Sequence, residues 1–228
     1  MRFVFAAILS VSLLSTFSMA AEKPALKDAK DKESYSLGYQ FGQTLKAQGL
    51  DLDMDVYTSG IQDALTGANP RLSQDEMRAT VAELQKRLTG ARQKEIKEMA
   101  DKTLAEGKVF LEENKRKDGV VALPSGLQYK VLTEGSGKMP KVTDSVTVHY
   151  RGTLTNGNEF DSSHKRGQPA TLQVGKVIRG WTEALQLMKE GSKWELFIPP
   201  QLAYGDRGTG SIPPNSTLIF EVELISVK

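Results

Sequence analysis

The sequence predicts an α+β fold, with helices in the first half and an antiparallel sheet wrapped on one short helix in the second. Three observations predict it. Apolar residues recur at helical spacing until about residue 118; from Gly119 onward they alternate with polar ones; and a single amphipathic stretch, Trp181 to Met188, interrupts that alternation. With 39% hydrophobic and 25% charged residues the composition is that of an ordinary globular protein, which argues against wholesale disorder and against a polytopic membrane protein.

Residues 1–20 read as a secretory signal peptide. Arg2 precedes an apolar run from Phe3 to Leu14, and Ser18 and Ala20 occupy the small-residue positions of a cleavage site before Ala21. The run is short for a spanning helix, which needs about 20 residues, so no stable membrane anchor is expected. The mature chain is expected to act outside the cytosol.

Residues 21–72 form the next expected unit. Its Lys/Asp-rich start has no apolar periodicity and reads as a tail. Tyr35, Leu37, Phe41 and Leu45 then predict a helix from Ser34 to Gln48, stopped by Gly49. Gly38 and Gly42, four apart on it, let another helix approach closely. Asp53 or Asp55 caps a second helix carrying Val56, Tyr57, Ile61, Ala64 and Leu65, ended by Gly67 and Pro70. So thin a helical unit has little core of its own, and packing of two chains against each other is the simplest remedy. It is read as an all-helical dimerisation domain.

Residues 73–118 form an expected connector helix. Ser73-Gln74-Asp75-Glu76 has the S-x-x-E capping-box form, and no proline or strong stop follows before Gly119. Met77, Val81, Leu84 and Leu88 make an apolar stripe, whereas Arg92 to Lys108 is polar nearly all round, with Glu98 and Lys102 at i,i+4 spacing. A helix polar on every side is usually a solvent-exposed connector between domains. Gly90 and Gly107 are the positions where it could bend or break.

Residues 119–228 carry the strand pattern. Leu127, Tyr129 and Val131, then Val146, Val148 and Tyr150, then Trp194, Leu196 and Ile198, and finally Leu218, Phe220, Val222 and Leu224 each occupy alternate positions. Trp181, Ala184, Leu185 and Met188 fall on one face of a short helix from about Gly180 to Gly191.

Several chemistries are excluded at this level. With no cysteine there is no disulfide, thiolate nucleophile, zinc ribbon or iron–sulfur cluster. His149 and His164 are the two histidines, too few for a histidine-built metal site, so neither metal nor cofactor is expected. Lys plus Arg total 30 against 28 Asp plus Glu, a near-balance that argues against nucleic acid as partner. Gly135-Ser136-Gly137-Lys138 lacks the first Gly and the final Ser or Thr of a phosphate loop, and reads as a turn. The glycines at 205, 208 and 210 do not spell a dinucleotide fingerprint, and G-x-S-x-G does not occur.

The segments VHYRGTLTNGNEFDSS, GKVIRGWTEALQLMKEGS, PPQLAYGDRG and IPPNSTLIFEVELISV, in this order and spacing, resemble the FKBP-type peptidyl-prolyl cis-trans isomerases over about residues 120–228. With YSLGYQFGQTLK and the long connector, the whole mature chain resembles the macrophage infectivity potentiator (Mip) group of exported bacterial isomerases. The resemblance implies an FKBP-like fold for the C-terminal domain. It also implies a V-shaped homodimer joined through the N-terminal helices, in the periplasm or on the outer surface of a Gram-negative bacterium. Proline-containing polypeptides are the implied substrates, and macrolides such as rapamycin the implied inhibitors.

Carried over position by position, the resemblance implies a catalytic set of Tyr150, Phe160, Asp161 and Tyr204. It implies substrate binding by Arg166, Val177, Ile178, Trp181, Ile212 and Phe220. Val177 and Ile178 would supply backbone hydrogen bonds, Tyr204 a hydroxyl donor, and Trp181 the floor; Asp161 would be the pocket carboxylate and Arg166 the basic residue that holds it. Ala170 and Leu172 stand where many relatives have bulky aromatics, so one wall is lower. Residues 206–211 do not align cleanly, and no contact is assigned there.

The chemistry fits these residue types independently. Rotating an X-Pro amide meets a barrier of about 18–20 kcal/mol from lost resonance, and no bond to the protein need form. An apolar pocket shaped to the twisted amide and closed to water favours the transition state over the flat ground state. Asp161 has a polarising reading and a structural one, as an acid satisfied by Arg166 and the Tyr150 hydroxyl. The expected function is therefore isomerisation of X-Pro bonds in exported proteins, with chaperone activity. The alternative is a peptide-binding periplasmic chaperone whose turnover is incidental.

Overall fold

A computed structural model describes residues 25–228, so the expected signal peptide lies outside the described residues. Helix α1 spans Ala29–Ala47 and starts five residues before Ser34. The cause is Asp28, whose carboxylate accepts the Asp31 N–H at 2.8 Å and caps a stretch that the apolar pattern does not reach. Helix α2 spans Met54–Thr66, capped by Asp53, which accepts from the Asp55 and Val56 amides. It stops at Gly67, whose φ of 70° is left-handed and open to glycine. Neither helix buries a residue, and Tyr35, Leu37, Tyr39 and Phe41 on α1 are all exposed.

The chain divides into two compact units between Ser73 and Gln74. The second unit opens with α3, Gln74–Asn114, a single helix of 41 residues that continues through Gly90 and Gly107. Its i,i+4 ion pairs include Lys94–Glu98 and Lys102–Glu106, each at 3.9 Å, rather than the expected Glu98–Lys102. It also ends five residues before Gly119. Asn114 is buried at its last turn and donates to Gln128 Oε1 at 3.0 Å, while Gln128 Nε2 donates back to the Leu111 carbonyl at 2.9 Å. That pair closes the helix against the sheet, and the chain turns through Gly119 at φ 79°.

Seven strands follow: β1 Val120–Ala122, β2 Gln128–Thr133, β3 Ser145–Leu154, β4 Glu159–Ser162, β5 Ala170–Gln173, β6 Lys193–Ile198 and β7 Leu218–Val227. They form one antiparallel sheet in the order β1-β2-β6-β7-β3-β4, with β5 also paired to β3. The alternating residues Val146, Val148, Leu196, Ile198, Val222 and Leu224 are buried on one face. Helix α4, Arg179–Leu185, covers that face with Trp181, Ala184 and Leu185. Regular helix ends at Leu185, earlier than Gly191, and a turn carries Met188 into the same core. Gly180 permits the close approach, since a Cβ there would stand 2.5 Å from Ile198 Cγ2. Gly135–Lys138, expected as a turn, is an irregular loop between β2 and β3 with a bend at Gly137, whose N–H donates to the Glu190 carbonyl at 3.0 Å.

Candidate functional site

Where β3, β4 and β7 face α4, four aromatic rings meet edge to face. Trp181 stands on α4 at 5.3 Å from Tyr150 and 5.2 Å from Phe220, both near-perpendicular to it. Phe160 meets Phe220 at 5.4 Å and 85°. Such T-shaped pairs put the positive edge of one ring on the negative face of the next, which fixes ring orientation as well as burying area. Gly152 makes room: it lies opposite Phe220 in the β3–β7 register, and a Cβ would sit 2.7 Å from both the Phe160 and Phe220 rings.

The rings line a cavity of about 530 Å³ that holds every expected site residue except Arg166. Tyr150, Phe160 and Asp161 line it from β3 and β4, and Val177, Ile178 and Trp181 from the segment that enters α4. Tyr204 and Ile212 come from the segment between β6 and β7, and Tyr204 is 40% exposed, within reach of a bound molecule. The Ile178 carbonyl accepts the Trp181 and Thr182 amides as it starts α4, and the Ile178 N–H has no partner among the described residues.

Arg166, expected to bind substrate, is not among the lining residues but bonds two that are. Its guanidinium donates to Asp161 Oδ1 and, at 2.7 Å, to the Tyr150 hydroxyl oxygen, while that hydroxyl donates to Asp161 Oδ2 at 2.6 Å. Burial opposes charge on Asp161, but the Tyr150 and Arg166 donors outweigh it and hold the carboxyl below the usual aspartate range. Burial pushes the Tyr150 phenol up, and its bond to the Asp161 carboxylate pushes the same way. The carboxylate is thus ionised and already bonded on both oxygens, an arrangement suited to polarity and shape rather than to proton abstraction.

Leu172, Lys176, Thr209, Gly210 and Ser211 also line the cavity. Of the pair Ala170 and Leu172, Leu172 reaches the cavity lining. Lys176 carries no sequence signal, being one lysine among many at the end of a short 3-10 turn, Val174–Lys176. The Thr209–Ser211 wall depends on a two-residue bridge, in which the Thr209 and Ile212 amides each donate to the other's carbonyl, at 3.0 and 2.8 Å. No periodicity marks so short a pairing.

Residues 136–225 match the family described as FKBP-type peptidyl-prolyl cis-trans isomerase. Residues 30–131 match the domain amino terminal to FKBP-type peptidyl-prolyl isomerase. The "Outer membrane protein MIP" of Legionella longbeachae is 48% identical, the alignment covering 100% of this chain and 98% of that protein. The "Peptidyl-prolyl cis-trans isomerase Mip" of Coxiella burnetii is 44% identical over 96% of each. Among solved structures, FkpA from Escherichia coli superposes with a TM-score of 0.73 at 41% identity, covering 90% of this chain and 99% of that one. The sheet-and-helix domain with its aromatic cavity and the helices that precede it are thereby matched together, and the chain belongs to the Mip group of FKBP-type peptidyl-prolyl cis-trans isomerases.

Proposed function

We propose that this protein isomerises X-Pro bonds in exported polypeptides and holds unfolded chains while it does so. The observation that carries the reading is the cage of Tyr150, Phe160, Trp181 and Phe220, apolar in its walls and polar at its rim. A proline ring fits such a cage, and an amide enclosed there loses water, which favours the twisted state in which nitrogen no longer shares its lone pair. In this reading Tyr150, Phe160, Asp161 and Tyr204 surround the twisting amide, and the Ile178 N–H and Tyr204 hydroxyl donate to substrate carbonyls. Arg166 acts through Asp161. Residues 119–228 with the end of α3 make the isomerase part, and the helices before Ser73 join two chains through their exposed apolar faces. Export by a cleaved signal peptide to the periplasm or outer surface is part of this reading; among the described residues no helix is long and apolar enough to cross a membrane.

The test is isomerase activity of the full mature chain on a short X-Pro peptide, with and without rapamycin. Turnover that the macrolide blocks supports the reading. A folded protein without turnover overturns it.

A further inference from the structure

We infer that α3 acts on the cavity as well as spacing it, and that Gly107 and Asn215 are positioning residues for the wall that carries Ile212. This rests on the isomerase reading above.

The end of α3 is fixed to the sheet. Asn114 and Gln128 clasp it to β2, and Phe110 packs on Phe197 of β6 with ring centres 5.9 Å apart. Two turns before that end, Gly107 is buried against Thr217, the residue before β7. A Cβ on Gly107 would stand 2.5 Å from Thr217 Oγ1 and 3.3 Å from Thr217 Cβ. Thr217 Oγ1 is buried without a hydrogen-bond partner among the described residues, so the contact serves shape rather than bonding.

Higher on the helix, the Ala100 carbonyl accepts from Asn215 Nδ2 at 3.4 Å. Asn215 has φ 57°, a left-handed conformation that asparagine tolerates better than most residues, and its N–H donates to the Gly205 carbonyl at 2.8 Å. Asn215 therefore ties both ends of the Gly205–Asn215 segment together and ties them to α3. Inside that segment lies the bridged Thr209–Ile212 turn that lines the cavity, and Tyr204 directly precedes it. A Cβ at Gly107 pushes on Thr217, two residues after Asn215 and so beside the end of the segment that carries Ile212. The helix is held at two places on the sheet, so the Thr217 side gives way, and Ile212 moves with it.

The experiment compares full-chain variants on a neutral X-Pro tetrapeptide and follows the Ile212 methyl signal by NMR. Gly107→Ala is expected to lower kcat about tenfold with KM little changed, since an ångström of misplacement can cost up to about 100-fold. The Ile212 signal is expected to shift. Thr217→Ala removes an unbonded hydroxyl and is expected to keep wild-type kcat. Adding it to Gly107→Ala should restore most of the lost rate and return the Ile212 signal. Asn114→Ala loosens the helix end without touching the loop, and should lower Tm while kcat stays at the wild-type value. If Gly107→Ala does not fold, Asn215→Gly carries the test. Glycine keeps φ 57° without strain, so that change removes only the bond to Ala100, and a two- to threefold loss of kcat is the order expected of one weak hydrogen bond, about 0.5 kcal/mol. Wild-type kcat in whichever of these two variants folds overturns the inference, as does an equal loss of kcat in Asn114→Ala. An inactive wild-type chain removes the isomerase reading and this inference together; an active one with indifferent variants removes this inference alone.

Discussion

The Tyr150 hydroxyl stands 2.6 Å from Asp161 Oδ2, and the two groups keep each other in opposite protonation states. Asp161 is held below its usual range and Tyr150 above its own, so neither changes charge near neutrality. The sign differs at the two ends. The depressed Asp161 carboxyl contributes stability that is present above the unfolded aspartate value of about 3.9 and is lost as pH falls through the lower folded value. The raised Tyr150 phenol contributes stability that is present below about pH 10 and is lost as pH rises through its higher folded value. A tetrapeptide assay is therefore expected to give a nearly flat rate from about pH 6 to 8. A sharp bell in that window would mean that a titrating catalytic group has been overlooked.

Replacing the Asp161 carboxylate separates its two readings. Asp161→Asn keeps the shape and the bond from Tyr150 but removes the partner charge of Arg166. If the carboxylate polarises the amide environment, kcat/KM falls about tenfold, roughly 1.4 kcal/mol, whatever the loss of Tm from the broken ion pair. A lowered Tm with unchanged kcat/KM would make Asp161 a structural acid only.

Cavity walls are expected to matter more than any single polar group. Phe160→Ala removes a ring that packs edge-on against Phe220, and Tyr204→Ala removes a half-exposed ring from the rim. Each is expected to lower kcat/KM on X-Pro peptides by about tenfold or more. Circular dichroism should show the fold retained in both. A properly folded variant with wild-type activity would move the site elsewhere.

What the sequence disclosed and what it concealed follow from the range of the interactions. Val146, Val148, Leu196, Val222 and Leu224 were legible as one buried face because alternation is a local pattern. The α4 face was legible for the same reason. The start of α1 was not, since Asp28 looks like one more charge in a charged stretch until its carboxylate meets the Asp31 amide. The end of α3 depends on Asn114 meeting Gln128, fourteen residues on, and nothing in either residue's neighbourhood announces the pair. The rings of the cavity come from four separated segments, and spacing alone reads them as core; only the motif resemblance singled them out. Lys176 and the Thr209–Ser211 wall stayed hidden, because a surface lysine and a glycine-containing turn look alike wherever they fall.

Lys176 lines the cavity beside Val177 and forms no ion pair among the described residues. The other charge in the cavity, Asp161, is already matched by Arg166. A peptide with Asp or Glu next to its proline is therefore expected to gain over a neutral one by about two- to fivefold, the worth of a solvent-exposed ion pair. Raising the salt concentration should shrink the gain. Lys176→Glu should reverse the preference, and an unchanged ratio of acidic to neutral kcat/KM in that variant would show that Lys176 does not read the substrate.

The helices before Ser73 give the last expectation. Tyr35, Leu37, Tyr39 and Phe41 on α1 and Val56 and Leu65 on α2 are exposed within a unit that buries nothing from either helix. Apolar area of that kind is normally covered, and a second copy of the same chain covers it on both sides at once. Two cavities joined in this way can hold one unfolded chain at two places, so that the second contact becomes intramolecular and apparent affinity rises by as much as 10²–10⁴-fold where geometry allows, an order-of-magnitude range. A tetrapeptide reaches one cavity and gains nothing. The fragment Gln74–Lys228, which keeps α3 against the sheet, is therefore expected to be a monomer by light scattering and to match the full chain on tetrapeptides. In proline-limited refolding of a protein substrate it should fall well behind. Fusing it to an unrelated dimeriser should recover part of that loss, because recovery requires only two cavities on one particle. A monomeric fragment that refolds proteins as fast as the full chain would leave the N-terminal helices without a part in catalysis.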